Sequence, residues 1–141
     1  IPIKYWWFYL KNRDSLNTWC ILIDVKYNME EKSVFEMILN KEIESEIIYE
    51  DDDIFSIQDI NPVARIHLLI IPKKRINTIN NLSDEDTLLV GRMIQVAKDL
   101  AKKYEIDESG YRLIFNTNDD GGQTVYHIHL HLIGGEKLKA F

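Results

Sequence analysis

The chain has 141 residues, 45% of them apolar, which is enough to bury one core of single-domain size. Six glycines, three prolines and 28% charged residues exclude a collagen-like or largely disordered chain. A formal charge of -6 offers no field to gather a polyanion, so nucleic acid is not an expected partner. Cys20 is the single cysteine, which excludes an intrachain disulfide framework and a cysteine-based zinc site and fits a reducing compartment.

Residues 1–28 hold all three tryptophans (Trp6, Trp7, Trp19) along with Tyr5, Phe8, Tyr9 and Tyr27, and there Lys4, Lys11, Arg13 and Lys26 outnumber Asp14 and Asp24. This stretch is expected to be an N-terminal extension of unclear role, and residues 29–141 the main, acidic domain. The apolar run Tyr5–Leu10 is far shorter than the roughly 20 residues of a membrane-spanning helix, and no small-residue cleavage site follows it. No membrane partner is expected, and the location expected is the cytoplasm, with the nucleus as a second compartment.

Ser33 and Glu36 have the spacing of a capping box and open a short helix through Phe35, Ile38 and Leu39. Glu46–Glu50 and Ile54–Asp59 read as strands of a hairpin joined by Asp51-Asp52-Asp53. A third strand, about Arg65–Ile71, is almost continuously apolar, so burial on both faces is expected, with Pro72 ending its ladder. Ser83 and Asp86 repeat the cap signal before Leu89, Met93, Val96, Ala97, Leu100, Ala101 and Tyr104, which recur at helical spacing. Two more strands, Tyr111–Asn116 and Thr124–Ile133, flank a polar loop containing Gly121-Gly122. Five strands, tight turns and one crossover helix predict an α+β protein with a mostly antiparallel meander sheet.

His127, His129 and His131 alternate with Ile128, Leu130 and Leu132, so the two-residue period of a strand points three imidazoles to one face. Such a face is not ordinary core, because each buried ring needs hydrogen-bond partners. A solvated histidine face is the plainest reading. Three imidazoles could also converge on one zinc. In a third reading, one imidazole attacks an electrophile while its neighbours fix its tautomer and protonate the leaving group. The lead-in Gly121-Gly122-Gln123-Thr124 favours the last, since glycine lets backbone N–H groups approach an anion while amide and hydroxyl side chains donate to it. His67, at the start of the third strand, is either a structural histidine or a further site residue, and Asp59 is either a solvated turn residue or a hydroxyl acceptor for a sugar.

The stretch His127-Ile128-His129-Leu130-His131-Leu132-Ile133 resembles the signature of the histidine-triad (HIT) family. Phe35–Ile43, Ile48–Asp52, Asp59-Ile60-Asn61-Pro62, His67–Lys74 and Gly121–Tyr126 are similar to its Hint branch, the purine nucleoside phosphoramidases also called protein kinase C-interacting proteins. The resemblance covers about residues 33–135. It implies a nucleotide-binding hydrolase that cleaves the P–N bond of nucleoside 5'-phosphoramidates, AMP linked to an amine or lysine among them, without a catalytic metal or cofactor. Dinucleoside polyphosphate hydrolysis and a regulatory nucleotide-binding scaffold are the alternatives.

On this resemblance His129 takes the nucleoside monophosphate onto its ring and the His127 carbonyl orients that ring. His131 and Thr124 contact the phosphate or leaving group, and His67 joins the proton network. Asp59 holds the ribose hydroxyls, and Phe35, Ile38, Ile43, Ile57 and Ile60 enclose the purine. Asn116, Gly122, Gln123 and Val125 lie near the ribose and phosphate. AMP, GMP and their phosphoramidates are the implied ligands, and the implied assembly is a homodimer whose sheets join into one of ten strands. Arg65 and Arg75 stand where the branch usually has proline and histidine. Ser33 and Glu36 replace a Cys-x-x-Cys zinc pair found in some relatives, so that zinc is not implied here.

Overall fold

The computed structural model describes residues 31–140, and the expected extension over residues 1–28 lies outside the described residues. Helix α1 (Val34–Leu39) starts at the predicted capping box. Ser33 Oγ accepts the Glu36 N–H at 3.2 Å, and Glu36 Oε2 accepts the Ser33 N–H at 2.7 Å. Strands β1 (Ile47–Glu50) and β2 (Ile54–Gln58) form the acidic-turn hairpin, held by Asp51 Oδ1 accepting the N–H groups of Asp53 and Ile54 at 2.8 Å each. Strand β3 (Ile66–Pro72) is buried from His67 onward.

The second cap signal closes one 3₁₀ turn, Asp84–Asp86, before helix α2 (Thr87–Lys103) begins. That helix buries Met93, Val96, Ala97, Leu100 and Ala101 on one stripe, as the helical spacing requires. Strands β4 (Tyr111–Ile114) and β5 (Leu130–Gly134) complete an all-antiparallel sheet of order β1-β2-β3-β5-β4. The meander therefore holds over β1–β2–β3, after which β5 rather than β4 takes the place beside β3. Burial explains the order: β5 is apolar enough for the sheet interior, whereas every residue of β4 is half-buried and suits an edge.

Strand alternation gives the sheet two different faces. Ile54, Leu68, Ile70, Leu130 and Leu132 face α2 in the larger core, and Phe55, Ile57, Leu69 and Ile71 join Phe35 and Ile38 of α1 in a smaller one. Among the described residues no helix is long and apolar enough to cross a membrane.

Among the described residues, one buried side-chain polar group has no partner. Ser56 is fully buried in β2 and its Oγ makes no hydrogen bond, so its hydroxyl bears a desolvation cost with nothing in return. Ser56→Ala should raise unfolding stability by about 1 kcal/mol, read as a higher urea midpoint at unchanged slope. A lower midpoint would mean that the hydroxyl is satisfied.

Candidate active site

The expected strand over Thr124–Ile133 is shorter than the alternation implies: β5 starts at Leu130, and His127 and His129 sit in the extended segment before it. Pro72 accounts for the difference. The β3–β5 register pairs Ile70 with Leu130, and continuing it would set Pro72 against Ile128, where proline has no N–H to give. The Ile128 N–H instead reaches Ile76 O at 2.7 Å, and the Pro72 carbonyl turns to the His127 ring. The alternation of faces survives the loss of the ladder. Ile128 joins the larger core, and the histidines stay on the α1 side.

Partners fix the proton on each ring. His127 is fully buried, and its Nε2 lies 2.7 Å from Pro72 O, which can only accept, so Nε2 carries the hydrogen. Its Nδ1 then accepts from Ser33 Oγ at 2.7 Å. His129 Nδ1 lies 2.8 Å from the His127 carbonyl and donates to it, which leaves a lone pair on Nε2. His67 Nδ1 accepts the Val63 N–H at 3.1 Å, so its hydrogen is on Nε2, 2.9 Å from His131 Nδ1 and 3.3 Å from Asp59 Oδ2. His131 therefore accepts at Nδ1 and carries its own hydrogen on Nε2; the Asn116 side-chain amide, 3.5 Å from that nitrogen, then has to turn its oxygen rather than its NH₂ group to the ring.

All four rings are held neutral at pH 7. Burial lowers the pKa of His67, His127 and His129, with Asp59 opposing the shift at His67 and the Pro72 and His127 carbonyls opposing it at the other two. His131 is pushed down to about 4, by burial first and then by His129 and His67 beside it. The ring centroids of His129 and His131 are 4.9 Å apart, so a proton on one opposes a proton on the other.

Neither arrangement of histidines suits a metal. The zinc reading of His127, His129 and His131 fails because both nitrogens of His127 are spent inside the protein. Asp59 Oδ2, His67 Nε2 and His131 Nδ1 lie 2.9–4.0 Å apart, close to the roughly 3.4 Å between ligand atoms of a tetrahedral zinc. The Val63 N–H decides against it. By occupying His67 Nδ1 it forces the hydrogen of neutral His67 onto Nε2, the atom that a metal would need.

The other predicted residues fall into two groups. Phe35, Ile38 and Ile57 are buried together beside the histidines, Val125 packs against them, and Phe35 meets the His129 ring edge-on at 5.1 Å. Ile43 and Ile60 stand apart on the surface, Ile60 at 90% exposure. Asp59 is half-buried at the end of β2, with Oδ1 accepting the Asn61 N–H at 2.8 Å.

The glycine loop differs from an open anion cradle. Gly121 is required by close approach, since a Cβ there would lie 2.3 Å from Thr117 O. The Gly122 N–H bonds Asp119 O at 2.9 Å and the Gln123 N–H bonds Asn118 O at 3.0 Å, so both are spent within the loop. The Gln123 side chain is buried and also engaged: Nε2 donates to Asn77 O and Val125 O, and Oε1 accepts from the Asn118 N–H. Gln123 is a clamp that sets the course of Thr124 and Val125, and exposed Thr124 is the hydroxyl at the loop's exit.

Ser33, Val63 and Pro72 set the tautomers and were not legible as site residues. Ser33 reads as a cap and Pro72 as a strand end, and a backbone N–H such as that of Val63 leaves no signal in a sequence.

Residues 40–138 match the model of the HIT domain. The chain is 50% identical to the purine nucleoside phosphoramidase of Escherichia coli K12 over 110 residues, 78% of this chain and 92% of that protein. A HIT family hydrolase from Legionella pneumophila superposes with a TM-score of 0.75 at 47% identity, covering 77% of this chain and 96% of the other. A histidine triad protein from Clostridium difficile does so with a TM-score of 0.75 at 38% identity, covering 80% and 99%. With the alternating histidines, the five-stranded antiparallel sheet and the matched span in agreement, this chain belongs to the HIT domain family.

Proposed function

We propose that this protein is a purine nucleoside phosphoramidase that hydrolyses the P–N bond of nucleoside 5'-phosphoramidates through a nucleotidyl-His129 intermediate. The observation that carries the reading is the bond from His129 Nδ1–H to the His127 carbonyl, which leaves a neutral imidazole with its Nε2 lone pair unspent. Half identity to a purine nucleoside phosphoramidase over most of the chain supports the same substrate class.

The substrate phosphate brings a negative charge to a site whose histidines are neutral only because they are buried, and His131 takes up a proton with it. Asp59 Oδ2, 3.3 Å from His67 and 4.0 Å from His131, offsets the added charge. His129 Nε2 attacks phosphorus, and the P–N bond breaks as the leaving nitrogen takes the proton from His131 Nε2, giving a free amine and an N-phosphorylated imidazolium. Water then attacks phosphorus, gives a proton to His131, and releases the nucleoside monophosphate with His129 neutral again. Thr124 donates to a phosphate oxygen, Phe35, Ile38, Ile57 and Val125 wall the base, and the ribose hydroxyls take the Asp59 lone pairs left over from Asn61 and His67. The reading includes a homodimer, supported by the edge position of β4, whose outer side has no strand beside it among the described residues.

The test compares kcat/KM for an adenosine 5'-phosphoramidate and a diadenosine polyphosphate, each with and without chelator. The phosphoramidate should be preferred by about 100-fold or more, with no loss to chelator. A faster diadenosine polyphosphate would reassign the enzyme to that substrate. AMP binding with neither substrate turned over would make it a nucleotide-binding scaffold.

A further inference from the structure

His129 owes its orientation to His127, and His127 owes its own to a residue outside the triad. We infer that Ser33 is a positioning residue for the nucleophile, through the hydroxyl that it donates to His127 Nδ1. The inference rests on the reaction proposed above for its kinetic readout, though not for its spectroscopic one.

His127 is a fully buried ring with two nitrogens to satisfy, and its two partners come from different parts of the chain. Pro72 O at the end of β3 takes the Nε2 hydrogen at 2.7 Å, and Ser33 Oγ ahead of α1 supplies the other bond at 2.7 Å. Those two segments are tied to each other. Glu36 Oε2 accepts the Ser33 N–H at 2.7 Å and also Arg75 Nη1 at 3.2 Å, and Arg75 lies three residues past Pro72. Phe35, between Ser33 and Glu36, meets both the His127 ring and the His129 ring edge-on, at 5.6 and 5.1 Å. The His127 ring is thus clasped on both nitrogens and one edge, and the carbonyl of the same residue receives the His129 Nδ1 hydrogen. Without a donor at Nδ1, that buried lone pair is left unpaired and the Pro72 carbonyl alone holds the ring, so the residue whose carbonyl aims His129 is held from one side only.

A plain structural role for Ser33 is available, because its Oγ also caps α1. The two roles need different chemistry. A cap needs an acceptor, which Ser, Thr and Asp all provide. The bond to His127 Nδ1 needs a hydroxyl donor, which Thr provides and ionised Asp does not. Ser33→Asp therefore keeps the cap and reverses the bond, placing a carboxylate against Nδ1 and drawing a proton onto it.

The experiment measures steady-state turnover of an adenosine phosphoramidate and the ¹⁵N shifts of the histidine rings for wild type, Ser33→Thr and Ser33→Asp. Ser33→Thr should stay within about threefold of wild type in kcat. Ser33→Asp should melt near wild type, lose about tenfold or more in kcat with KM within about threefold, and move His127 Nδ1 from the unprotonated to the protonated range. Equal kcat for the Asp and Thr variants overturns the inference. So does a wild-type His127 that already carries its hydrogen on Nδ1, a result that needs no variant to fold. A wild type inactive on phosphoramidate defeats the proposed reaction instead, and the positioning role is then decided by whether His129 keeps its Nδ1–H tautomer in Ser33→Thr and loses it in Ser33→Asp.

Discussion

His129→Ala should lower phosphoramidate turnover by a factor on the order of 10⁴ or more, the scale seen when a covalent nucleophile is removed from a site whose other groups stay in place. The neighbouring groups cannot substitute for it. His127 has both nitrogens committed, and His131 Nε2 carries a hydrogen rather than a lone pair. AMP should still bind, because the apolar wall of Phe35, Ile38 and Ile57 is packed from α1 and β2. Intact-protein mass spectrometry after rapid, acid-free quenching should find the nucleotidyl adduct on wild type and none on the variant. An Ala variant that retains a tenth of the activity would mean that water attacks the substrate directly.

The domain should also lose stability as pH falls from about 6.5 toward 4, before most carboxylates are protonated. The native pKa of His131 is pushed down from 6.5 to about 4, by burial and then by His129 and His67. Between those values the unfolded chain binds more protons than the native one, so stability rises with pH across the window and is complete above it. The shift corresponds to roughly 3 kcal/mol from His131, with His67, His127 and His129 adding in the same direction. Urea midpoints at pH 7.0 and 5.0 measure this, and His131→Asn should flatten the slope between them. A wild-type midpoint unchanged over that interval would mean that the rings are protonated in the native state. Saturating AMP should oppose proton loss from His131, so the bound protein should lose less stability on acidification than the free one.

The two predictions draw on different levels of the molecule, and they mark how far the sequence could be read. Local chemistry was legible wherever neighbours in the chain settle it. The Ser33–Glu36 capping box forms as spaced, Met93 and the stripe around it are core, and His127, His129 and His131 do share one face. The similarity to the HIT family was likewise carried by short contiguous motifs, and the match over residues 40–138 agrees with it.

Long-range partners were not legible. Which strand would sit beside β3 depended on burial competition between β4 and β5, two segments of similar local pattern, and on the crossover that α2 makes from β3 to β4. The early end of the ladder at Leu130 followed from Pro72, 58 residues away, and the spent amides of Gly122 and Gln123 followed from how their loop closes on itself. Most of all, no spacing shows which ring nitrogen carries a hydrogen.

By itself the sequence determined the element types, the helix cap, the common face of the histidines and the family, because side-chain period and local hydrogen bonding act over a few residues. The tertiary structure alone decided the sheet order, the unsuitability of the Asp59–His67–His131 cluster for a metal, and the tautomer that leaves His129 Nε2 able to attack. Those depend on a proline carbonyl, a serine hydroxyl and a backbone N–H arriving from distant segments. A buried imidazole takes its proton state from whichever partner the fold places against it.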